Sequence, residues 1–326
     1  GRSPWVFRLI LDDKTRMVVA ALADDLWIAF NPANAAIERA WSGDIDYRGK
    51  VWDFSQDNPM TRGTTYLAAS GTVLQAPSPA SMTDAWTARD VIEFDGVWRF
   101  MATDATLTLP VVDLSGTRDV MLSFDEWSRG GSFRVDVSDD GGATWAAQTF
   151  DSTRHGHNDT EWQWNMKRIA TNSARTRIRF VQTDAAHEKS LRNIRLRGSA
   201  DRWTVDRHGT TSRVDIDWRG YDRIRDERVT FRFDLRLDGA VVARVEMTPE
   251  RIADGLGRPA LSQRIVLADV APDTVVRLRL DTEPTGFLAR TTLDGPAVLR
   301  TLDRARWIEF EGEDVTLTTT WTVIGD

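Results

Sequence analysis

Three groups of residues in this 326-residue chain have the types and spacing to do chemistry. His155-Gly156-His157-Asn158-Asp159 sets two imidazoles and a carboxylate at i, i+2 and i+4. In an extended segment those side chains share a face, so His155, His157 and Asp159 are the candidate metal ligands. The glycine and the Asn-Asp pair equally suit a polar loop between strands, and the expectation is no metal. Ser138-Asp139-Asp140-Gly141-Gly142-Ala143-Thr144-Trp145 fits the Asp-box pattern S-x-D-x-G-x-T-W. Here Asp140 can accept bonds from turn amides, the glycines supply positive φ, and Trp145 can fold back on the hairpin. Ser138, Asp140, Gly142 and Trp145 are therefore read as a structural turn. The third group is made of arginines and tryptophans. Arg175, Arg177 and Arg179 alternate along one strand, Arg195 and Arg197 along another, and Trp162 and Trp164 lie on one face. If the two basic strands neighbour, they make a basic face able to dock an acidic protein or lipid head groups. Without such neighbours they are a solvated face with interleaved acids. The tryptophan pair suits packing, an interface or a stacked sugar ring.

Catalytic signatures are sparse. Asp12-Asp13, Asp24-Asp25 and Asp125-Glu126 could host glycoside chemistry, but they fall at strand ends, where solvated acids are common. There is no HExxH, no G-x-S-x-G and no phosphate-binding glycine loop. The four histidines stand near no evident nucleophile. No enzyme activity and no cofactor are expected. Cysteine is absent, which removes disulfides, thiolate metal sites and covalent haem. A net charge of -7 argues against nucleic acid as a partner. The longest apolar run, Met17–Ala23, is too short to span a bilayer. The chain opens on Gly1, and an exported protein that has lost its signal peptide is expected.

Strands must position all of these residues. Val91–Phe94, Val97–Met101, Val120–Phe124, Phe133–Val137, Thr176–Val181 and Leu191–Leu196 are short, β-branched or aromatic, and separated by turn residues. Phe231–Leu237 alternates apolar and charged residues, and Asp238-Gly239 turns it into Ala240–Met247. Thr248-Pro249-Glu250 looks like a helix start before Arg251–Ala253, and Asn34–Ala40 is a second short helix candidate. Boundary composition at Ala76–Ser81 and Arg197–Asp201 divides the chain. The expectation is an all-β protein of two β-sandwich domains with one or two short helices. Residues 1–76 and 200–326 form a discontinuous host domain, and 77–199 are an inserted jelly-roll-like domain.

The outer pieces carry Pro4-Trp5-Val6-Phe7-Arg8, Asp25–Phe30, Ala40-Trp41-Ser42-Gly43, Tyr47-Arg48-Gly49, Trp203-Thr204-Val205, Trp218-Arg219-Gly220-Tyr221, Val229-Thr230-Phe231 and Glu246–Glu250. This order resembles a non-haem β-module of exported multi-domain bacterial proteins, many of which also carry c-type haem domains. The central piece, with Leu122–Asp125, Phe133–Val137, the Asp-box turn and Thr176–Val181, resembles the jelly roll of MAM and lectin-like modules. The resemblance implies a periplasmic, non-catalytic accessory or scaffold subunit. It would be peripheral to a membrane-associated electron-transfer assembly, respiratory or photosynthetic, whose protein subunits include a cytochrome. A carbohydrate-binding protein that uses the central domain is the alternative.

Overall fold

The computed structural model describes residues 5–12, 14–47, 59–69, 72–76, 86–128, 133–148, 162–183, 189–224, 228–302 and 305–324. The protein is all-β, built of several antiparallel sheets. Two compact units emerge. One comprises Gly1–Asp46, Met60–Ser70 and Ala200–Asp326, and the other Tyr47–Pro59 and Gly71–Ser199.

The chain begins with a five-stranded meander. Strands β1 (Trp5–Leu11), β2 (Lys14–Ala23), β3 (Leu26–Asn31), β4 (Ala36–Asp46) and β5 (Met60–Ala68) lie side by side in sequence order. Both faces of this sheet are apolar. Val18, Ala20, Ile28, Phe30 and Ala40 enter the main core of the first unit, while Met17, Val19, Ala29 and Trp41 form a smaller cluster on the other face. Period-two alternation within β2 and β3 produces this division. Gly43 and Gly63 meet across β4 and β5, where a Cβ on Gly43 would lie 2.3 Å from the carbonyl oxygen of Arg62. Only glycine allows that backbone approach.

The second unit is a two-sheet sandwich. Its strands are β6 (Thr72–Ala76), β7 (Thr87–Arg89), β8 (Val91–Phe94), β9 (Val97–Phe100), β10 (Thr106–Thr108) and β11 (Thr117–Ser128). They continue as β12 (Phe133–Ser138), β13 (Ala146–Gln148), β14 (Gln163–Arg168), β15 (Arg177–Gln182) and β16 (Lys189–Ala200). One sheet has the order β13-β12-β15-β10-β7, and the other β14-β11-β16-β9-β8 with β6 also on β16. Leu107, Phe133, Val135, Ile178 and Phe180 of the first sheet share a core with Leu122, Phe124, Leu191, Ile194 and Leu196 of the second.

The first unit then resumes. Strands β17 (Trp203–Arg207), β18 (Thr210–Arg213), β19 (Asp215–Ile224), β20 (Arg228–Leu237), β21 (Ala240–Ala253) and β22 (Pro259–Ala268) follow. The last five are β23 (Thr274–Arg279), β24 (Phe287–Asp294), β25 (Ala297–Leu302), β26 (Ala305–Phe310) and β27 (Asp314–Val323). They build a sheet of order β18-β17-β23-β26-β25 and a sheet of order β19-β20-β21-β22-β27-β24. Trp203, Val205, Phe231, Phe233, Met247 and Leu317 close the core over the β2–β4 residues. The buried indole of Trp203 donates to the carbonyl of Ala35 at 2.9 Å, so its polar atom costs little. Asp238 and Gly239 both have positive φ, 50° and 81°, as a tight hairpin matched to strand twist requires.

The expected short helices are absent among the described residues. Thr248–Ala253 completes β21, pairing with β22 from Thr248↔Arg264 to Ala253↔Pro259. Burial alternates through Val245, Met247 and Pro249, and the Thr248 hydroxyl bonds the Thr230 hydroxyl across the sheet at 2.8 Å instead of capping a helix. The Pro249 ring is tolerated because the β20 ladder ends at Met247. Asn34–Ala40 divides into a turn and the start of β4, with the Asn34 amide donating to Glu38 at 2.8 Å. In both places tertiary pairing overrides a local cap signal.

Candidate functional site

The Asp-box closes the β12–β13 turn. Asp140 accepts the Thr144 backbone N–H at 2.9 Å and the Thr144 hydroxyl at 2.7 Å, while the Ser138 hydroxyl receives Gly142 N–H and donates to Asp140, both at 2.7 Å. The bonds from Thr144, joined by that from Ser138, hold the Asp140 carboxyl well below the usual aspartate range. Gly141 and Gly142 take φ of 81° and 103°. All of this carboxylate's bonding capacity is spent on its own turn, which is a structural use.

Trp145 is tied into the adjoining strand. The Arg179 guanidinium lies 4.2 Å from its ring centroid and donates to Asp136 at 2.6 Å. Arg134 grips the same carboxylate at 2.8 and 3.3 Å. Burial pushes the Asp136 carboxyl up, and the two arginines outweigh it, leaving the group below its ordinary value. Arg177 donates to the carbonyl of Leu109 at 3.1 Å, and the Arg175 carbonyl accepts Gly141 N–H at 2.8 Å. Arg195 and Arg197 stand on β16, opposite Gln75 and Thr72 of β6. The two basic strands are not neighbours. Ile178 and Phe180 of β15, and Ile194 and Leu196 of β16, face one core from opposite sheets. Their alternating arginines therefore point to opposite outer faces, and no joint basic face forms.

The tryptophan pair has different company. Trp164 pairs with Asp125 across β14 and β11, and both tryptophans are half-buried. Asp125 receives the Arg192 guanidinium at 3.1 Å and the Asn193 amide at 2.6 Å. Arg192 in turn lies 4.1 Å from the ring centroid of Trp162. Trp162, Trp164, Asp125, Arg192 and Asn193 thus collect on the outer margin of the six-stranded sheet. At the opposite edge of that sheet, the β8–β9 hairpin turns Val91, Trp98 and Phe100 to the core. Its other side carries Ile92, Phe94 and Arg99, since Ile92 pairs with Arg99. Ile92 and Phe94 are 46% and 54% exposed, Met101 just beyond is 61% exposed, and the Arg99 guanidinium stacks 4.3 Å from the Phe94 ring.

His155, His157 and Asp159 lie outside the described residues, among which no group of three or more His, Asp or Glu is arranged to hold a metal. No helix among the described residues is long and apolar enough to cross a membrane.

The acidic pair Asp125-Glu126, expected at a solvated strand end, lies buried within β11, and two buried groups escaped the sequence reading. Glu126 and Lys189 are buried in the second unit, at 4% and 1% exposure. Desolvation raises the Glu126 carboxyl to about 7, against the pull of the Lys189 charge. Period two counted from Phe124 and from Leu191 puts both on the core side, which was the available signal. The other is Arg202, between β16 and β17, also 4% exposed. It sits where the sequence reads as a domain boundary, and nothing in its neighbours marks it.

No protein-family model matches this chain, and no curated protein matches it.

Proposed function

We propose that the protein works by contact, as a non-catalytic accessory subunit held against protein partners. The β8–β9 hairpin carries this reading. An edge hairpin with Ile92 and Phe94 in solvent, Met101 exposed just beyond it and an arginine stacked on the phenylalanine has the composition of an interface centre. It also offers a strand edge to a partner. The setting to which the resemblance of the outer segments points is the periplasmic side of a membrane-associated electron-transfer assembly that includes a cytochrome.

The test compares wild type with Phe94→Glu, purified from native membranes in mild detergent by size exclusion and mass spectrometry. Co-elution of the wild type with haem-absorbing membrane proteins, lost in Phe94→Glu, supports the reading. Elution alone at low and moderate salt defeats it.

Carbohydrate binding is the second reading, favoured by Trp164 beside Asp125 and Asn193. Aromatic stacking with adjacent carboxylate and amide groups suits a sugar ring. Quenching of tryptophan fluorescence across a glycan panel, abolished by Trp164→Ala, would move it ahead.

A further inference from the structure

One end of the six-stranded sheet in the first unit holds aliphatic side chains out in solvent. Strands β21 and β22 pair as far as Ala253↔Pro259, and the tip that joins them, residues 254–258, stands beyond that pair. Leu261 of β22 pairs with Thr319 of β27, which sets the tip level with Val323 and Ile324 at the end of β27. On the other side of β27, the first residues of β24 reach the same end, with Phe287 opposite Val323 and Leu288 opposite Thr322. Leu256 on the tip is 77% exposed, Leu288 66%, Ile324 65% and Val323 44%. Neighbouring strands lie about 4.8 Å apart, so these four side chains fall within roughly 15 Å of one another. The tip is internally bonded. Asp254 accepts the Leu256 N–H at 2.8 Å, and the Arg258 N–H and Nε–H at 2.9 Å each, while Gly257 N–H donates to the Asp254 carbonyl at 3.0 Å. The loop is thus ordered before any contact, and burying Leu256 costs little further backbone entropy.

The charges and the area at this end define the occupant. Arg258 with Asp254, Arg251 with Asp25 and Arg228 with Glu250 are ion pairs closed within the chain. Arg290 stands two residues from Leu288 on the same exposed face of β24 and pairs with no acid among the described residues. Four partly exposed aliphatic side chains on three separate strand ends cannot supply the about 800 Å² per partner that a standard protein interface buries. A lipid surface needs no matched area. Its acyl boundary takes up aliphatic side chains in proportion to the apolar area they bury, and its phosphates accept bonds from a guanidinium.

We propose that this end of the first unit inserts into the surface of a lipid bilayer, with Leu256, Leu288, Val323 and Ile324 at the acyl boundary and Arg290 at the phosphates. Apolar burial drives the contact. It is a property of the first unit and does not depend on the contact reading of the hairpin in the second.

Flotation of the full chain with phosphatidylcholine vesicles tests it. Wild type and Phe94→Glu should both float, and should still do so at about 0.5 M salt, where exposed charges are screened. Leu256→Glu should lower the vesicle affinity by about tenfold. A second readout follows where the sheet meets the lipid. The chain has no cysteine, so Leu256→Cys and Ala240→Cys each take a single polarity-sensitive fluorophore. Ala240 begins β21 at the opposite end of the same sheet. Emission from the label at 256 should shift to the blue when vesicles are added, and emission from the label at 240 should not. No flotation, flotation abolished by salt, unchanged affinity in Leu256→Glu, or equal shifts from the two labels would each overturn the proposal.

Discussion

Phe30 and Phe231 stack with ring centroids 4.2 Å apart and planes 21° from parallel, although the whole second unit lies between them in sequence. Both are fully buried. Their contact locks the opening meander onto the sheet built from the last third of the chain, so neither segment has a complete core alone. Phe30→Ala and Phe231→Ala should each lower unfolding free energy by about 3–5 kcal/mol. The double variant should fall short of the sum by roughly 0.5–1.5 kcal/mol, because the second truncation removes a contact already lost. Urea unfolding of the four proteins measures this. Strict additivity would mean that the rings do not share one core.

Asp140 gives an acid-side prediction. Its folded value lies below the ordinary 3.8, through the bonds from Thr144 and Ser138. The turn's contribution is therefore complete above that ordinary value and is lost as pH falls below it. Asp140→Ala should melt at lower temperature than wild type at pH 7. Thermal scans between pH 7 and pH 2 should show the two curves converging at the acid end. A constant gap would indicate that the carboxylate's charge plays no part.

Glu126 should behave in the opposite sense. Its carboxyl is raised from 4.5 to about 7 by burial. The folded state holds a proton there that the unfolded chain has released, so this group's contribution to stability is greatest below pH 4.5 and is lost as pH rises through about 7. The decline amounts to about 3 kcal/mol at most, from roughly 1.4 kcal/mol per unit. Glu126→Gln cannot titrate and should flatten that slope in chemical denaturation series from pH 4.5 to 8. A wild-type curve that is already flat would place the carboxyl in water.

Much of the strand pattern is written in local alternation. Phe133–Val137 and Phe231–Leu237 announce one wet and one dry face, Asp238-Gly239 announces its turn, and the Asp-box announces its hydrogen bonds. The errors fall where a local signal competes with a distant partner. Thr248-Pro249-Glu250 is a good helix start in isolation, but β22 pairs with it residue by residue. Arg175–Arg179 and Arg195–Arg197 look like one basic surface until the order of the sheets sends them to opposite sides. Arg202 was illegible for a different reason. Its burial and its hydrogen bond to the Asp281 carbonyl come from residues far away in sequence, and a lone arginine beside Ala200-Asp201 carries no trace of them.

The last prediction concerns how the arginines of β15 are used. Asp136 is 2% exposed and takes bonds from both Arg179 and Arg134. The Arg179 side chain is 25% exposed, the Arg134 side chain 44%. The more shielded partner should matter more, because solvent screens the other. Asp136→Ala leaves Arg179 without its acceptor on a half-buried strand and should cost about 2–4 kcal/mol. Arg179→Ala should cost less than that but more than Arg134→Ala, which should stay within about 1 kcal/mol. The Arg179 contribution includes its stacking on Trp145, so Trp145 fluorescence should change in Arg179→Ala and not in Arg134→Ala. Because the Asp136 pair is sheltered, raising salt should hardly alter the ranking. An arginine surface built for docking would give the reverse, with small folding penalties for all three variants and a large loss of partner binding at low salt that shrinks as salt screens the contact.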